Sequence, residues 1–212
     1  MNHSIPTSAW LTGILRQAGM LSQGEVIAVE VGQSDAFNSQ LTFLRLTYSA
    51  DASPALPTRF VLKRNIDADW AVEAGAEEVK FYQLVATLPD HPPVLPPCYA
   101  AAYDAASGNS YLLLQDLSES HAPPETCEQQ ISFVDAALTP ENMERVIDTL
   151  ARFHAYWWQH PLLDSGQFPV GYWSRNAERF ALYQERRQQS WASLVAAFRD
   201  WACEALLAST KA

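Results

Sequence analysis

One lysine and a pair of acids have the types and the order needed to bind phosphate. Lys63 lies inside the apolar stretch 59–65, and Glu77 and Glu78 follow on the next predicted helix. A lysine held toward a cleft neutralises phosphate oxygens, and a carboxylate on a neighbouring helix can hold that lysine in place. Taken alone, Lys63 also fits a lysine that keeps a strand edge soluble or lays its stem along an apolar surface.

Two further segments carry polar groups in an order that suits such a site. A polar turn containing Gly32 separates two alternating stretches before Lys63, and backbone N–H groups of such a turn can cover phosphates. After the acids comes YLLLQDL (111–117), whose continuous apolar run predicts a strand buried on both faces. It ends at Gln115 and Asp116. Phosphoryl transfer depends on positioning and electrostatics, so the order of these parts matters.

The elements that would position these residues are predicted from periodicity, caps and turn residues. We expect helices over 7–19 (with Ser8 as N-cap), 71–87 and 139–158, one or two further helices within 176–207, and strands over 26–32, 41–48, 59–65 and two within 99–117. Strands gather in the first half and helices in the second, which indicates an α+β fold in two lobes. We place the lobes at residues 1–118 and 119–212.

Composition excludes several classes of protein. The 212 residues carry a net charge of -10, which argues against nucleic acid and anionic membranes as partners. No apolar run is long enough for a transmembrane helix. Cys98, Cys127 and Cys203 form an odd set without a CxxC pair, which is typical of reduced thiols in a cytoplasmic protein.

Four motifs in one order resemble a known family. They are the strand with Lys63, the string EVKFY (78–82), YLLLQDL, and LARFHAYWW (150–158). Together they resemble the aminoglycoside phosphotransferase-like kinases, a group that includes choline kinase-like and ecdysteroid kinase-like enzymes. The resemblance implies a protein-kinase-like fold. Its N-terminal ATP-binding lobe would be an antiparallel five-stranded sheet with helix C, followed by a helical C-terminal lobe that is incomplete here.

The resemblance also implies roles for individual residues. Lys63 would contact the α- and β-phosphates of ATP, and Glu78 would be its ion-pair partner, with Glu77 as the alternative. Gln115, Asp116 and Leu117 would form a hinge segment that contacts the adenine through backbone groups.

The same resemblance makes residues 32–39 the loop that covers the nucleotide. This sequence departs from protein kinases there, because it has one glycine and no G-x-G-x-x-G pattern. Gly32 is that glycine, and Ser34, Asn38 and Ser39 could contact phosphates through their polar side chains. Ordinary turn chemistry accounts for these residue types equally well, and both interpretations stay open.

The catalytic loop expected of such kinases, His-Gly-Asp-x-x-x-x-Asn, does not occur in the sequence, and neither does its metal-binding Asp. We therefore assign no catalytic residue and no metal ligand, although the intact family uses Mg²⁺ and a small substrate with a hydroxyl. Asp200-Trp201 resembles a metal-binding pair, but it lies within an amphipathic stretch. The sequence predicts a chain truncated before its catalytic loop and inactive alone.

The helical half predicts packing rather than chemistry. His154 is expected to be a core histidine, because no second ligand stands at metal-binding spacing. We interpret the tryptophans of this half as packing residues, namely Trp157, Trp158, Trp173, Trp191 and Trp201. Apolar faces left uncovered on these C-terminal helices predict self-association into a homodimer.

Three functions remain open at this point. The first is the ATP lobe of a small-molecule kinase, and the second is a non-catalytic remnant that binds a nucleotide or a partner protein. The third is a plain α+β domain whose motifs are coincidental.

Overall fold

The fold is taken from a computed structural model that describes residues 6–34, 39–88, 90, 94–121, 139–167 and 177–198. The helices are α1 (Ser8–Gln17), α2 (Asp69–Val85), α3 (Pro140–Trp157) and α4 (Ala177–Phe198), with a 3₁₀ turn at Pro161–Leu163. The strands are β1 (Val26–Ser34), β2 (Ser39–Tyr48), β3 (Arg59–Asn65), β4 (Cys98–Asp104) and β5 (Asn109–Gln115).

The five strands form one antiparallel sheet in the order β1-β2-β3-β5-β4. The α+β class, the five strands and their hairpins are confirmed, and most predicted bounds lie within two residues of the observed ones. Alternating apolar residues specify these strands because one side of each strand must face a core. The strands β1 and β4 are the edges of the sheet.

One face of the sheet carries the main hydrophobic core. Phe60 and Leu62 on β3 are fully buried there, and they pack with Leu113 of β5 against Leu11 and Leu15 of α1. The ring of Phe60 also meets Tyr99 edge to face, with centroids 5.2 Å apart. This face buries the apolar side chains that stabilise the sheet.

The other face of the sheet is covered in part by α2, which packs on β5, β4 and β3. Gly75 lies at the contact, where an added Cβ would stand 2.2 Å from Ser110 Oγ. The glycine therefore permits a close approach of helix and strand that any side chain would block. The prediction that β5 is buried on both faces is confirmed, because its neighbouring residues Leu112 and Leu113, which point to opposite faces, are both almost completely buried.

The helix starts show how local sequence sets element bounds. The hydroxyl of Thr7, and not the predicted Ser8, caps α1 by accepting a hydrogen bond from Trp10 N. Both hydroxyls suit an N-cap, and Leu11 and Leu15, one turn apart on α1, are buried in the core. At α3 the predicted start is confirmed, since Thr139 caps the helix and Pro140 is its first residue.

The prediction of a core histidine on α3 is wrong. His154 is exposed, on a helix whose Ile147 and Leu150 are also more than half exposed. Amphipathic spacing shows that a helix has an apolar stripe, but it does not show which element covers it. The predicted packing role is confirmed for the buried Trp157, whereas Trp158 is 77% exposed. Trp191 is half-buried, and Trp173 and Trp201 lie outside the described residues.

The chain divides into two compact units, residues 1–169 and residues 170–212. The first contains the sheet with α1, α2 and α3, and the second contains α4. The functional lobe boundary proposed at 118/119 stays a prediction. Among the helices of the described ranges, none has both the length and the apolar character needed to cross a membrane.

Candidate functional site

The site is built around an ion pair between β3 and α2. Lys63 Nζ donates to Glu78 Oε1 at 2.6 Å, and both side chains are about one-third exposed. The predicted pairing is therefore present, with Glu78 and not Glu77 as the partner of Lys63. Glu77 instead pairs with Lys80 on the same helix, with 3.0 Å between Lys80 Nζ and Glu77 Oε1. The partial exposure leaves the ammonium group of Lys63 accessible to a ligand.

The ion pair forms because the alternation of β3 and the helical spacing of α2 place Lys63 and Glu78 opposite each other. Alternation along β3 places Phe60 and Leu62 in the core and Lys63 on the opposite face, toward α2. On α2, Glu78 stands three residues after Gly75 and so shares its helix face. The close approach at Gly75 brings the carboxylate of Glu78 within reach of Lys63.

A cavity of about 250 Å³ lies beside this ion pair, and we call it the lysine cavity. Ser39, Trp70 and Ser110 help to line it. Asn65 also lines the cavity and links β3 to β5: its Oδ1 accepts from Ser110 N at 2.8 Å, and its Nδ2 donates to Gly108 O at 3.1 Å. Sequence reasoning missed both Asn65 and Trp70. The position of Asn65 two residues after Lys63, on the same face of the strand, is the sequence feature that could have identified it as a residue of the site.

A second cavity of about 320 Å³ lies on the sheet farther from α2, and we call it the arginine cavity. Its lining includes Gly32, Phe43, Arg59 and Asp116. Gly32 does not need to be glycine for structural reasons: its φ is not positive, and an added Cβ would stand 3.7 Å from Phe43. The missing side chain therefore leaves open space above the ring of Phe43 rather than relieving strain.

Arg59 ties the start of β3 to the segment that follows β5. Its Nε and Nη2 donate to Asp116 Oδ2 at 3.0 and 2.7 Å, and Nη2 also donates to Ser118 Oγ at 2.8 Å. Its Nη1 donates to Glu119. Burial raises the pKa of Asp116, but hydrogen bonds from Ser118 and Arg59 outweigh it and hold that pKa below its ordinary value.

Of the three predicted hinge residues, Asp116 lines the arginine cavity, and two of the three backbone N–H groups already have acceptors. Gln115 N donates to Pro97 O at 2.9 Å, and Asp116 N donates to Arg59 O at 3.3 Å. The side-chain Oε1 of Gln115 accepts from Tyr99 Oη at 3.3 Å. Of the backbone N–H groups of Gln115, Asp116 and Leu117, only that of Leu117 has no acceptor in the described part of the chain.

The structure thus distributes the predicted residues over two places on one sheet face. Lys63, Glu78 and Ser39 meet at the lysine cavity, whereas Gly32 and Asp116 meet at the arginine cavity. Of Ser34 only the backbone is described, at the end of β1, and Asn38 lies outside the described residues. No group of three or more metal-ligating side chains occurs within the described ranges.

The comparisons with known proteins identify no relative of this chain. No protein family matches the chain, and no curated protein or solved structure matches it.

Proposed function

We propose that this chain binds ATP as the nucleotide lobe of a protein-kinase-like fold, of the aminoglycoside phosphotransferase type. In such kinases ATP donates a phosphoryl group to a hydroxyl of a small molecule. The observation that carries the proposal is the Lys63–Glu78 ion pair at an open cavity. A cytoplasmic location, where ATP is available, is part of the same proposal.

The electrostatics of the pair suit a phosphate. Glu78 orients the Lys63 ammonium at 2.6 Å, yet a lysine has three N–H donors and this contact uses one of them. The remaining donors can bind phosphate oxygens in a partly dry cavity, where charge-assisted hydrogen bonds are strong. The hydroxyl of Ser39 lines the same cavity and adds a further polar group.

The spacing of the two cavities supports a nucleotide rather than a lone phosphate. Arg59 and Lys63 stand four residues apart on the same face of β3, which is about 13 Å along a strand. A nucleoside triphosphate is elongated, with a flat base at one end and phosphates at the other. Its base would lie in the arginine cavity beside Phe43 and its phosphates in the lysine cavity.

The proposal is tested by isothermal titration calorimetry with ATP and Mg²⁺ on the wild-type chain and on Lys63→Met. We expect the wild type to bind ATP and the variant to lose affinity by about tenfold or more, because a charged hydrogen bond to phosphate is removed. Lys80→Met is the matched control: Lys80 is exposed and pairs with Glu77 on the outer part of α2.

The control variant should bind ATP as the wild type does. Equal loss of affinity in Lys63→Met and Lys80→Met would show a general charge effect and would count against the site. Failure of the folded wild-type chain to bind ATP at millimolar concentration would overturn the proposal.

A further inference from the structure

The end of the proposed site away from Lys63 carries an unusual arrangement of charge. Arg59 is about one-quarter exposed and lines the arginine cavity, while its partner Asp116 is only 4% exposed. Glu119, which contacts the other end of the guanidinium, is 71% exposed. The cluster therefore has a buried anchor, Asp116, and an accessible rim formed by Arg59 and Glu119.

The anchor fixes the guanidinium of Arg59 firmly. An arginine has five N–H donors, and here two donate to Asp116, one to Ser118 Oγ and one to Glu119. The Nη2 side is engaged with Asp116 and Ser118, while among the described residues the Nη1 side donates to the exposed Glu119 alone. A ligand can thus reach Nη1 without disturbing the contacts to Asp116.

In the hinge segment, residues 115–117, most backbone N–H groups already have acceptors within the protein. The N–H groups of Gln115 and Asp116 already donate to Pro97 O and Arg59 O. A base in the arginine cavity can therefore accept hydrogen bonds from side chains or from Leu117 N, but not from these two N–H groups. Arg59 lines the cavity, and Glu119, outside the lining, accepts from its Nη1. The two side chains present a donor beside an acceptor, the pattern complementary to the N1 acceptor and N6 donor of adenine.

We propose that Arg59 is the base-recognition residue of this site, with Asp116 holding it in place and Glu119 completing the edge contact. This inference rests on the proposed function, because it assigns one end of the same nucleotide. The guanidinium plane also offers a stacking surface to the base, as arginine does to nucleobases elsewhere. Base recognition here depends on a side-chain ion pair rather than on backbone groups alone.

The experiment compares two ligands that share phosphates and differ in the base. ATP and inorganic tripolyphosphate, each with Mg²⁺, are titrated by calorimetry into wild type, Arg59→Met and Lys63→Met. Arg59→Met should weaken ATP binding by about tenfold and leave tripolyphosphate binding within about twofold, since it removes a charged contact to the base only. Lys63→Met should weaken both ligands, because both place phosphates on that lysine.

Two further variants keep the result interpretable. Arg59→Met leaves Asp116 buried without its cation, so the double variant Arg59→Met with Asp116→Ala removes both partners and is measured beside it, with thermal unfolding as the check on folding. Arg152→Met, at an exposed arginine paired with Asp148 on α3, removes the same charge away from the cavity. It should bind both ligands normally.

Each outcome separates the two proposals. Equal weakening of ATP and tripolyphosphate in both Arg59 variants, or no weakening of either, would overturn the role of Arg59 while ATP binding through Lys63 stands. Equal affinity of the wild type for ATP and tripolyphosphate would show that the base is not bound and would also overturn it. Absence of binding by the wild type to both ligands would remove the proposed function and this inference together.

Discussion

The two faces of the sheet are made by the same strands but differ in what their side chains do. On the face covered by α1, Phe60 and Leu62 of β3 are completely buried among apolar groups. On the other face, the alternate residues Arg59, Val61 and Lys63 are only half-buried. Arg59 lines the arginine cavity and Lys63 lines the lysine cavity. Adjacent residues of one strand therefore serve separate purposes.

This difference shows how a small sheet can carry a polar site without losing its core. A lysine in a fully packed face would need a costly buried charge, whereas Lys63 keeps contact with solvent and with Glu78. The core face contributes the hydrophobic stabilisation, and the open face is free to vary in charge. Substitutions on the two faces should therefore separate stability from binding.

The largest effect on stability is expected on the core face. Phe60→Ala should lower the free energy of unfolding by about 4 kcal/mol, because it leaves a cavity in a packed core. Val61→Ala, at the neighbouring half-buried position, should cost about 1 kcal/mol. Urea denaturation followed by circular dichroism measures both. Equal costs would contradict the assignment of the core to one face.

A smaller effect is expected where α2 meets the open face. Gly75→Ala should destabilise the fold by about 2 kcal/mol, because its Cβ would lie 2.2 Å from Ser110 Oγ and 3.2 Å from Ser110 Cβ. The hydroxyl would have to turn away from Asn65, and the helix or strand would have to shift slightly. Gly13→Ala on α1 is the control: nothing lies within 4 Å of its added Cβ. It should raise stability by about 0.5–1 kcal/mol through helix propensity. Thermal and urea unfolding of both variants test the difference, and a neutral Gly75→Ala would refute the close contact.

The smallest effect concerns acid sensitivity at the rim of the open face. Because the folded pKa of Asp116 is lowered, its ion pair with Arg59 stabilises the fold above the ordinary aspartate pKa, and that stabilisation is lost as pH falls toward the folded value. Asp116→Asn should cost about 1–2 kcal/mol at pH 7, since it removes a charged, nearly buried hydrogen-bond acceptor.

The measurement is the unfolding free energy of wild type and Asp116→Asn from pH 7 to pH 3. The difference between the two proteins should shrink toward the acid end. A constant difference over the whole range would mean that the carboxylate charge plays no part in it.

The sequence was sufficient for most of the fold because its signals are local. Alternation specified the strands, and Thr139-Pro140 specified the start of α3. The Lys63–Glu78 contact was also accessible, because the order of strand, helix and acid limits the possible partners. The contact itself required the packing of α2 at Gly75, a glycine that nothing local distinguishes.

The remaining features depend on contacts distant in the chain. Arg59 and Asp116 meet only because β3 pairs with β5 in a particular register, which no short motif encodes. His154 was placed in the core because its spacing is helical and apolar, yet the covering of that stripe is a tertiary property. Periodicity alone therefore does not determine the pairing register of distant strands or which face of a helix is covered.

The strand β1 has a consequence for handling the protein in solution. It forms an edge of the sheet over nine residues, VIAVEVGQS, with Ile27 56% exposed where the pairing register shifts, and with no Lys, Arg or Pro along it. Natural sheets usually protect such an edge with these residues or with a bulge, because its backbone N–H and C=O groups can pair with another chain. Here the register shift lies at the start of β1, and the pairing from Ala28 to Ser34 is regular. Concentrated preparations should therefore associate edge to edge into intermolecular β-structure, and Ile27→Lys is the substitution that would protect the edge while leaving both faces of the sheet intact.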